Sequence, residues 1–180
     1  HGFELPEFAA YPLLDEPRAR EALTQMFRRY FDVAAESGWC AMVGGLDYRA
    51  SPDWAAKLGY SDSGLKEMQA RSIEFLRDIA KEYADQIPDI RITGVIGPRG
   101  DAYALGKNIS EAEAEDYHSV QLSNLKELNV ELAWGGTFNN VPEATGLARA
   151  ASKIGIPVCI SFTLRSDHRL GSGDSLKQAV

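Results

Sequence analysis

Apolar residues recur with the period of an amphipathic helix in four separate stretches of this chain. The first begins beside Pro17, a residue that suits the first turn of a helix, and it stops at Gly38. The third opens with Ser110 and Glu113, which have the spacing of a capping box. The four predicted helices cover residues 17–38, 65–83, 110–128 and 140–155.

Short apolar runs with few polar residues lie between and after these helices. Such runs are typical of strands in a parallel sheet, because both faces of that sheet are covered. The four predicted strands cover residues 39–46, 91–96, 130–134 and 157–163.

The order of these elements is a helix, three strand–helix units and a fourth strand. Right-handed crossovers place the carboxyl ends of such strands at one edge of the sheet. Ligands bind at that edge in α/β proteins, so we expect the chemistry there. The four loops predicted at this edge cover residues 44–62, 97–109, 135–140 and 164–174.

The pattern therefore predicts an α/β fold: a partial (β/α)₈ TIM barrel of about four parallel strands with flanking helices. A complete barrel takes about 250 residues, whereas this chain has 180. We expect a single domain over residues 1–180 that forms an incomplete barrel. Four strands leave two unpaired edges, so we also expect a homo-oligomer. A small, open, doubly wound sheet is the alternative fold.

Composition and charge narrow the classes of partner. A net charge of −7 argues against nucleic acid, because phosphate binding needs clustered Lys and Arg. No apolar run approaches the roughly 20 residues of a membrane span. No secretory leader is visible, and we expect a cytoplasmic protein. Cys40 and Cys159 lie in apolar runs without a CxxC motif, so we expect two buried thiols.

Two candidate substrate-binding residues lie in the first polar loop. Asp47 follows the first strand, where it is a functional carboxylate or a hydrogen-bond acceptor within the loop. Arg49 offers a guanidinium that pairs with a carboxylate in a two-pronged geometry. The alternative for Arg49 is a structural ion pair with Asp53 or Asp101.

Two further candidate substrate-binding residues follow the later strands. Asn139 comes after the third strand, and Thr163 ends the fourth. Asn140, beside the first of these, is most simply a helix N-cap.

Four residues are expected to shape the loops rather than react. Asp53 and Trp54 are expected to pack the first loop against the rim of the barrel. Arg99 and Asp101 lie in a glycine-containing turn that an ion pair would hold.

Three other polar or aromatic positions have a structural interpretation. His118 is predicted on a helix surface, and His168, next to Asp167, in a solvated loop. Trp134 lines the pocket or fills the core. No strand ends in Lys, and phosphate-binding glycine motifs are absent, so a Schiff-base enzyme and a nucleotide-binding fold are disfavoured.

Seven short motifs occur in order along the chain: LPEFAAYPLL at 5–14, YRASPDW at 48–54, KLGYS at 57–61, GPRGDAY at 97–103, VPEA at 141–144, ISFT at 160–163 and RLGSGDSL at 169–176. Each piece is weak, whereas the ordered set is specific. Across nearly all 180 residues, this set resembles the homocysteine S-methyltransferase family.

The resemblance implies a (β/α)₈ enzyme that moves a methyl group from a sulfonium or betaine donor to the thiol of homocysteine, giving methionine. It also implies a zinc ion that holds this thiol as a thiolate. The family's zinc ligands are three cysteines near the sixth and eighth strands, and this sequence contains neither segment. The Asp-Gly-Gly segment of the first strand is also missing. We therefore expect no metal ligands in this chain, and no turnover by the chain alone.

The chain departs from the family at three points. Relatives commonly carry Glu-Thr where this chain has Gly44-Gly45, and Thr where it has Asp47. Relatives often carry a Glu for the amino group of homocysteine where this chain has Gly136. Two alternatives to the enzyme therefore stay open. One is a non-catalytic half-barrel that oligomerises, and the other is a ligand-binding barrel with a changed substrate.

Overall fold

The fold is described by a computed structural model covering residues 2–103 and 109–180. Its strands are β1 (Ala41–Gly44), β2 (Ile90–Ile96), β3 (Ala133–Phe138) and β4 (Val158–Phe162). Its α-helices are α1 (Pro17–Ser37), α2 (Pro52–Lys57), α3 (Asp62–Lys81), α4 (Glu111–Glu127), α5 (Val141–Ile154) and α6 (Leu176–Ala179). Two 3₁₀ helices, Pro6–Phe8 and Tyr11–Asp15, precede α1.

The four strands form one parallel sheet in the order β1-β2-β3-β4. This confirms the predicted α/β class, with flanking helices between successive strands. Because the strands are parallel and sequential, their carboxyl ends meet at one edge, here called the carboxyl edge. The two outer strands, β1 and β4, have no strand beyond them among the described residues.

Local sequence signals set the ends of several helices as predicted. Gly38 and Gly155 follow α1 and α5 in the left-handed conformation, with φ of 65° and 74°. Ser110 and Glu113 form the predicted capping box of α4, and Asn140 caps α5 by accepting from the backbone N–H of Glu143.

Buried apolar side chains join the sheet to its helices in two clusters. One packs α1 and α3 against β1, and the other packs α4 and α5 against β2 and β3. Helices α4 and α5 touch at Gly146, where a Cβ atom would lie 2.4 Å from the Cβ of Ala114. A glycine at this position therefore sets how closely the two helices approach.

The opposite face of the sheet is uncovered. Met42 and Trp134 point out of it and are 56% and 36% exposed. Cys159 pairs in register with Trp134 and is exposed, as is Cys40 before β1. The prediction of two buried thiols was therefore wrong, because no described layer covers this face.

Two of the predicted segments differ most clearly from the structure, and part of a third is not described. The third strand runs over 133–138 instead of 130–134, so most of the predicted loop 135–140 is strand. The predicted loop 44–62 contains the short helix α2. Within the predicted loop 97–109, residues 104–108 lie outside the described residues.

None of the helices in the described part of the chain combines the length and apolar character that a bilayer crossing requires.

Candidate active site

Tyr48 bridges the first loop to the third strand across the carboxyl edge. Its carbonyl oxygen accepts the backbone N–H of Gly97 at 2.9 Å, just beyond β2. Its hydroxyl lies 2.7 Å from Oγ1 of Thr137 in β3. Tyr48, a single residue in the loop that follows β1, thereby links the ends of three neighbouring strands.

Two glycines, Gly97 and Gly136, lie close to the Tyr48 side chain. A Cβ atom on Gly97 would lie 2.7 Å from the Tyr48 carbonyl oxygen and 2.8 Å from the ring, which no side chain permits. A Cβ atom on Gly136 would lie 3.6 Å from the same ring, which is ordinary contact. Gly97 is therefore a steric requirement, whereas Gly136 leaves room for a Cβ atom.

Thr137 holds a strained conformation at the carboxyl edge. Its φ is 60°, a left-handed value that a β-branched residue rarely adopts, and the register of β3 against β4 shifts at this point. Its backbone N–H donates to Oγ of Ser161 at 3.2 Å. Strain and bulges of this kind concentrate at functional sites, so this position marks the edge as a candidate site.

The structure places Asp47 inside the loop, fully buried. Its Oδ1 accepts the backbone N–H of Val95 at 3.0 Å, and its carbonyl oxygen accepts Nε2 of Gln121 at 2.7 Å. Its Oδ2 has no hydrogen-bond partner among the described residues. This geometry matches the alternative, an acceptor within the loop, and a direct role of Asp47 in substrate binding stays a prediction.

Burial gives Asp47 an unusual titration. Removal from water raises the pKa of this carboxyl to about 6, against the opposing effect of the hydrogen bond from the Val95 N–H. A carboxylate inside the protein therefore begins to take up protons near neutral pH.

Arg49 ties the first loop to the second through backbone atoms. Its Nη1 donates to the carbonyl oxygens of Pro98 and Gly100, each at 2.9 Å. Its guanidinium carbon lies 5.0 Å from the ring centroid of Tyr48 and 4.5 Å from that of Trp54. The alternative ion pair with Asp53 or Asp101 is not among its described contacts, and its Nε is buried without a hydrogen-bond partner among the described residues.

Asp53 pairs instead with Arg99, whose Nε lies 3.2 Å from its Oδ2. Trp54 donates its indole N–H to the carbonyl oxygen of Arg99 at 2.9 Å. Tyr117 on α4 donates its hydroxyl proton to Oδ1 of Asp53, and its hydroxyl oxygen lies 2.6 Å from Oγ of Ser51. These contacts tie the first loop to the second and to α4, and the loop-shaping roles of Asp53, Trp54 and Arg99 stay predictions.

The fourth loop-shaping candidate, Asp101, makes a local turn. Its Oδ1 accepts the backbone N–H of Tyr103 at 2.8 Å. The ion pair expected between Arg99 and Asp101 is therefore replaced by the Arg99–Asp53 pair.

Glu143 in the first turn of α5 joins the second loop to two helices. Its Oε1 accepts the backbone N–H of Arg99 at 2.6 Å and lies 3.2 Å from Nε2 of His118. Burial acts to raise the pKa of Glu143, but hydrogen bonds from His118 and the Arg99 N–H hold it below the usual value. His118 is 1% exposed, so its predicted place on a helix surface was wrong: it faces this carboxylate.

Asn139 and Thr163 line one cavity of about 450 Å³ at the carboxyl edge. The side-chain amide of Asn139 donates to the carbonyl oxygens of Asp101 and Ala102 at 3.0 and 3.1 Å. The backbone N–H of Thr163 donates to the carbonyl oxygen of Phe138 at 2.8 Å. Both residues line this cavity, although Asn139 is itself 8% exposed. Asp47 and Arg49 are buried as well and are not among the described residues that line it.

Sequence reasoning did not select Tyr48, Thr137 or Glu143 as site residues. The pair Gly135-Gly136 was a visible signal, since glycines inside a strand often mark a bulge. The links from Glu143 to Arg99 and His118 left no such signal, because they join residues distant in the sequence.

The described residues do not fit a metal centre. Among them, no group of three or more His, Cys, Asp or Glu side chains is close enough to hold an ion. Cys40 and Cys159 are separate exposed thiols and supply no ligand set.

Comparison with known proteins identifies relatives over almost the whole chain. The sequence profile of the family described as homocysteine S-methyltransferase matches residues 4–180. A search of curated protein sequences gave no match.

Solved structures share the fold. The homocysteine methyltransferase MmuM from Escherichia coli, in its metallated form, matches with a TM-score of 0.79 and 23% sequence identity. That match covers 99% of this chain and 63% of MmuM. The oxidized form of MmuM matches with a TM-score of 0.78 and 21% identity, over the same 99% and 63%. The chain thus spans less than two thirds of MmuM and has the fold of a partial TIM barrel.

The substitution Asp47→Asn should change how stability depends on pH. Because its pKa is raised on folding, Asp47 makes its full contribution to the free energy of unfolding below pH about 4, where the carboxyl is protonated in the folded and the unfolded protein. This contribution is lost as the pH rises through about 6. Because one pKa unit is worth about 1.4 kcal/mol, the variant should gain about 3 kcal/mol relative to wild type between pH 4 and pH 7. Urea unfolding of both proteins at a series of pH values measures this difference. A difference that stays constant across the series would contradict the assignment.

Proposed function

The chain belongs to the homocysteine S-methyltransferase family, and we propose that its carboxyl edge binds the substrates of methyl transfer to a thiol. The family match over residues 4–180 carries this proposal. The strained Thr137 at the shared carboxyl edge of the four parallel strands supports it, since this edge is where α/β enzymes hold their ligands.

The proposed reaction joins a thiol sulfur to a methyl carbon. The methyl group leaves a sulfonium or quaternary ammonium donor, whose S–C or N–C bond breaks and whose electron pair returns to the donor atom. The thiol proton is lost, and the product is a methyl thioether, methionine when the acceptor is homocysteine. The contribution of this chain is to bind and orient the two reactants, because methyl transfer needs the sulfur, carbon and leaving atom in line.

A zinc ion, as in the family, would keep the thiol ionised. The described residues offer no ligand group for it, so we assign none of them to a metal. The chain is therefore proposed to form a binding wall of the enzyme, inactive by itself.

Metal content and turnover test this proposal for the 180-residue chain. We expect far less than one zinc per chain by elemental analysis, and no methionine from homocysteine and S-methylmethionine. Purification with added zinc is the control for metal lost during handling. Stoichiometric zinc together with methionine formation would contradict the proposed inactivity.

A non-catalytic half-barrel that self-associates is the second candidate, and the uncovered face of the sheet favours it. Trp39 and Met42 are 66% and 56% exposed, and β1 and β4 have open edges among the described strands. Exposed apolar surface beside unpaired strand edges promotes pairing with a further copy.

Light scattering tests the self-association. We expect a mass of at least twice the 19.7 kDa of one chain. Met42→Lys on the uncovered face should reduce this mass, whereas Val33→Lys on α1, with the same 56% exposure, should leave it unchanged. A monomeric wild-type protein would exclude this candidate.

A changed substrate is a third candidate, favoured by Gly136. Gly136 brings no carboxylate to the carboxyl edge. A Cβ atom at this position would make only ordinary van der Waals contact with the Tyr48 ring, so close packing does not require the glycine. Because position 136 carries no carboxylate, a ligand bound beside it would not have to carry an ammonium group.

Ligand titration separates this candidate from the first. If the substrate has changed in this way, 4-sulfanylbutanoate, which lacks the amino group of homocysteine, should bind at least as tightly as L-homocysteine in an NMR titration. Binding of homocysteine at least tenfold tighter would exclude it and favour an amino-acid acceptor.

A further inference from the structure

The cavity that Asn139 and Thr163 line at the carboxyl edge also contains a cationic side chain, Arg165. The cavity of about 450 Å³ is lined by Ala102, Tyr103, Asn139, Thr163, Leu164, Arg165 and Gly171. This volume is in the usual range for small-molecule sites, about 300–1,000 Å³. We call it the Arg165 cavity.

The loop after β4 holds Arg165 in a fixed turn. The backbone N–H of Arg165 donates to the carbonyl oxygen of Arg169 at 2.8 Å, and its carbonyl oxygen accepts the N–H of His168 at 3.0 Å. Leu164 and Leu170 form an antiparallel bridge, and Leu170 is fully buried. The guanidinium therefore projects from an ordered segment.

This loop is also docked onto the sheet. The backbone N–H of Ser172 donates to the carbonyl oxygen of Asn139 at 3.1 Å. A Cβ atom on Gly171 would lie 3.3 Å from atoms of Asn139, so the loop approaches the end of β3 closely. The walls of the cavity are thus fixed relative to each other.

The charge in this cavity has one sign. Arg165 supplies a permanent positive charge, and no Asp or Glu is among the described lining residues. Among the described residues Arg165 pairs with Asp167, whose Oδ2 lies 3.7 Å from its Nη2, and the Oδ1 of Asp167 accepts the backbone N–H of Arg169. That ion pair is long and solvent-exposed, and such a pair holds a guanidinium only weakly.

We propose that Arg165 binds the carboxylate of the amino-acid substrate, an inference that rests on the proposed function. A guanidinium binds a carboxylate through two parallel hydrogen bonds, and Thr163 lines the same cavity. Arg165 acts as a binding and specificity residue: it selects ligands with an anionic end and takes no part in the bond changes.

The test compares two thiols that differ in the carboxylate. The 15N-labelled 180-residue chain is titrated with L-homocysteine and with 3-aminopropane-1-thiol, which lacks the carboxylate. We expect homocysteine to shift the amide signals of Thr163, Arg165 and Gly171. Arg165→Met should weaken homocysteine binding about tenfold and leave aminopropanethiol binding unchanged.

Matched variants separate charge from folding. Arg165→Lys keeps the charge and should recover part of the affinity. Arg29→Met makes the same change on α1, outside the cavity lining, and should have no effect. Far-ultraviolet circular dichroism and thermal melts check that all variants fold alike.

Each remaining outcome counts against one statement. Unchanged homocysteine binding by Arg165→Met would overturn the role of Arg165 and leave the proposed function intact. Equal weakening for both thiols would also overturn it, because the effect would then not concern the carboxylate. Failure of the wild-type chain to bind either thiol would contradict the proposed function and remove this inference with it.

Discussion

The carboxyl edge of β2 is organised by one constraint: its backbone groups need hydrogen-bond partners where β1 has already ended. β1 stops at Gly44, opposite Thr93. Beyond that point the Asp47 side chain accepts the N–H of Val95. Buried backbone groups are rarely left unpaired, so a loop that replaces a strand must supply such acceptors and donors in order.

The next residues of the loop continue this replacement. Tyr48 accepts the N–H of Gly97 through its carbonyl oxygen, and Arg49 donates to the carbonyl oxygens of Pro98 and Gly100. The first loop is thus hydrogen-bonded to the second along its length, and its aromatic and cationic side chains are used in packing. The most conspicuous polar motif of the sequence therefore builds the wall of the site, and the open space lies farther along the edge, beside Asn139 and Thr163.

This division has a chemical consequence for the proposed methyltransferase. Gly136 leaves a position at the edge without charge, and Arg165 provides a cation beside the later strands. The ligand is then recognised mainly through its anionic end. The uncovered face of the sheet is a separate property, since its exposed Met42 and Trp134 lie on the surface of the sheet and not among its loops.

The sequence alone determined the features that depend on near neighbours in the chain. The helix ends at Gly38 and Gly155 and the capping box at Ser110 follow from local rules, and the structure has all three. Apolar runs between helices predicted the parallel sheet, because a βαβ order permits few arrangements. The family motifs predicted the relatives that comparison then found.

Tertiary structure alone decided the features that depend on contacts between distant residues. His118 is buried, where it meets Glu143, 25 positions away in the sequence, and the ring of Phe138. β3 lies later in the chain than its apolar run suggests and its register against β4 shifts near Thr137. Cys159 is exposed because nothing described covers its face. The periodicity of the sequence shows which face of each helix or strand is apolar. Which element packs against that face is set by the packing of the whole chain.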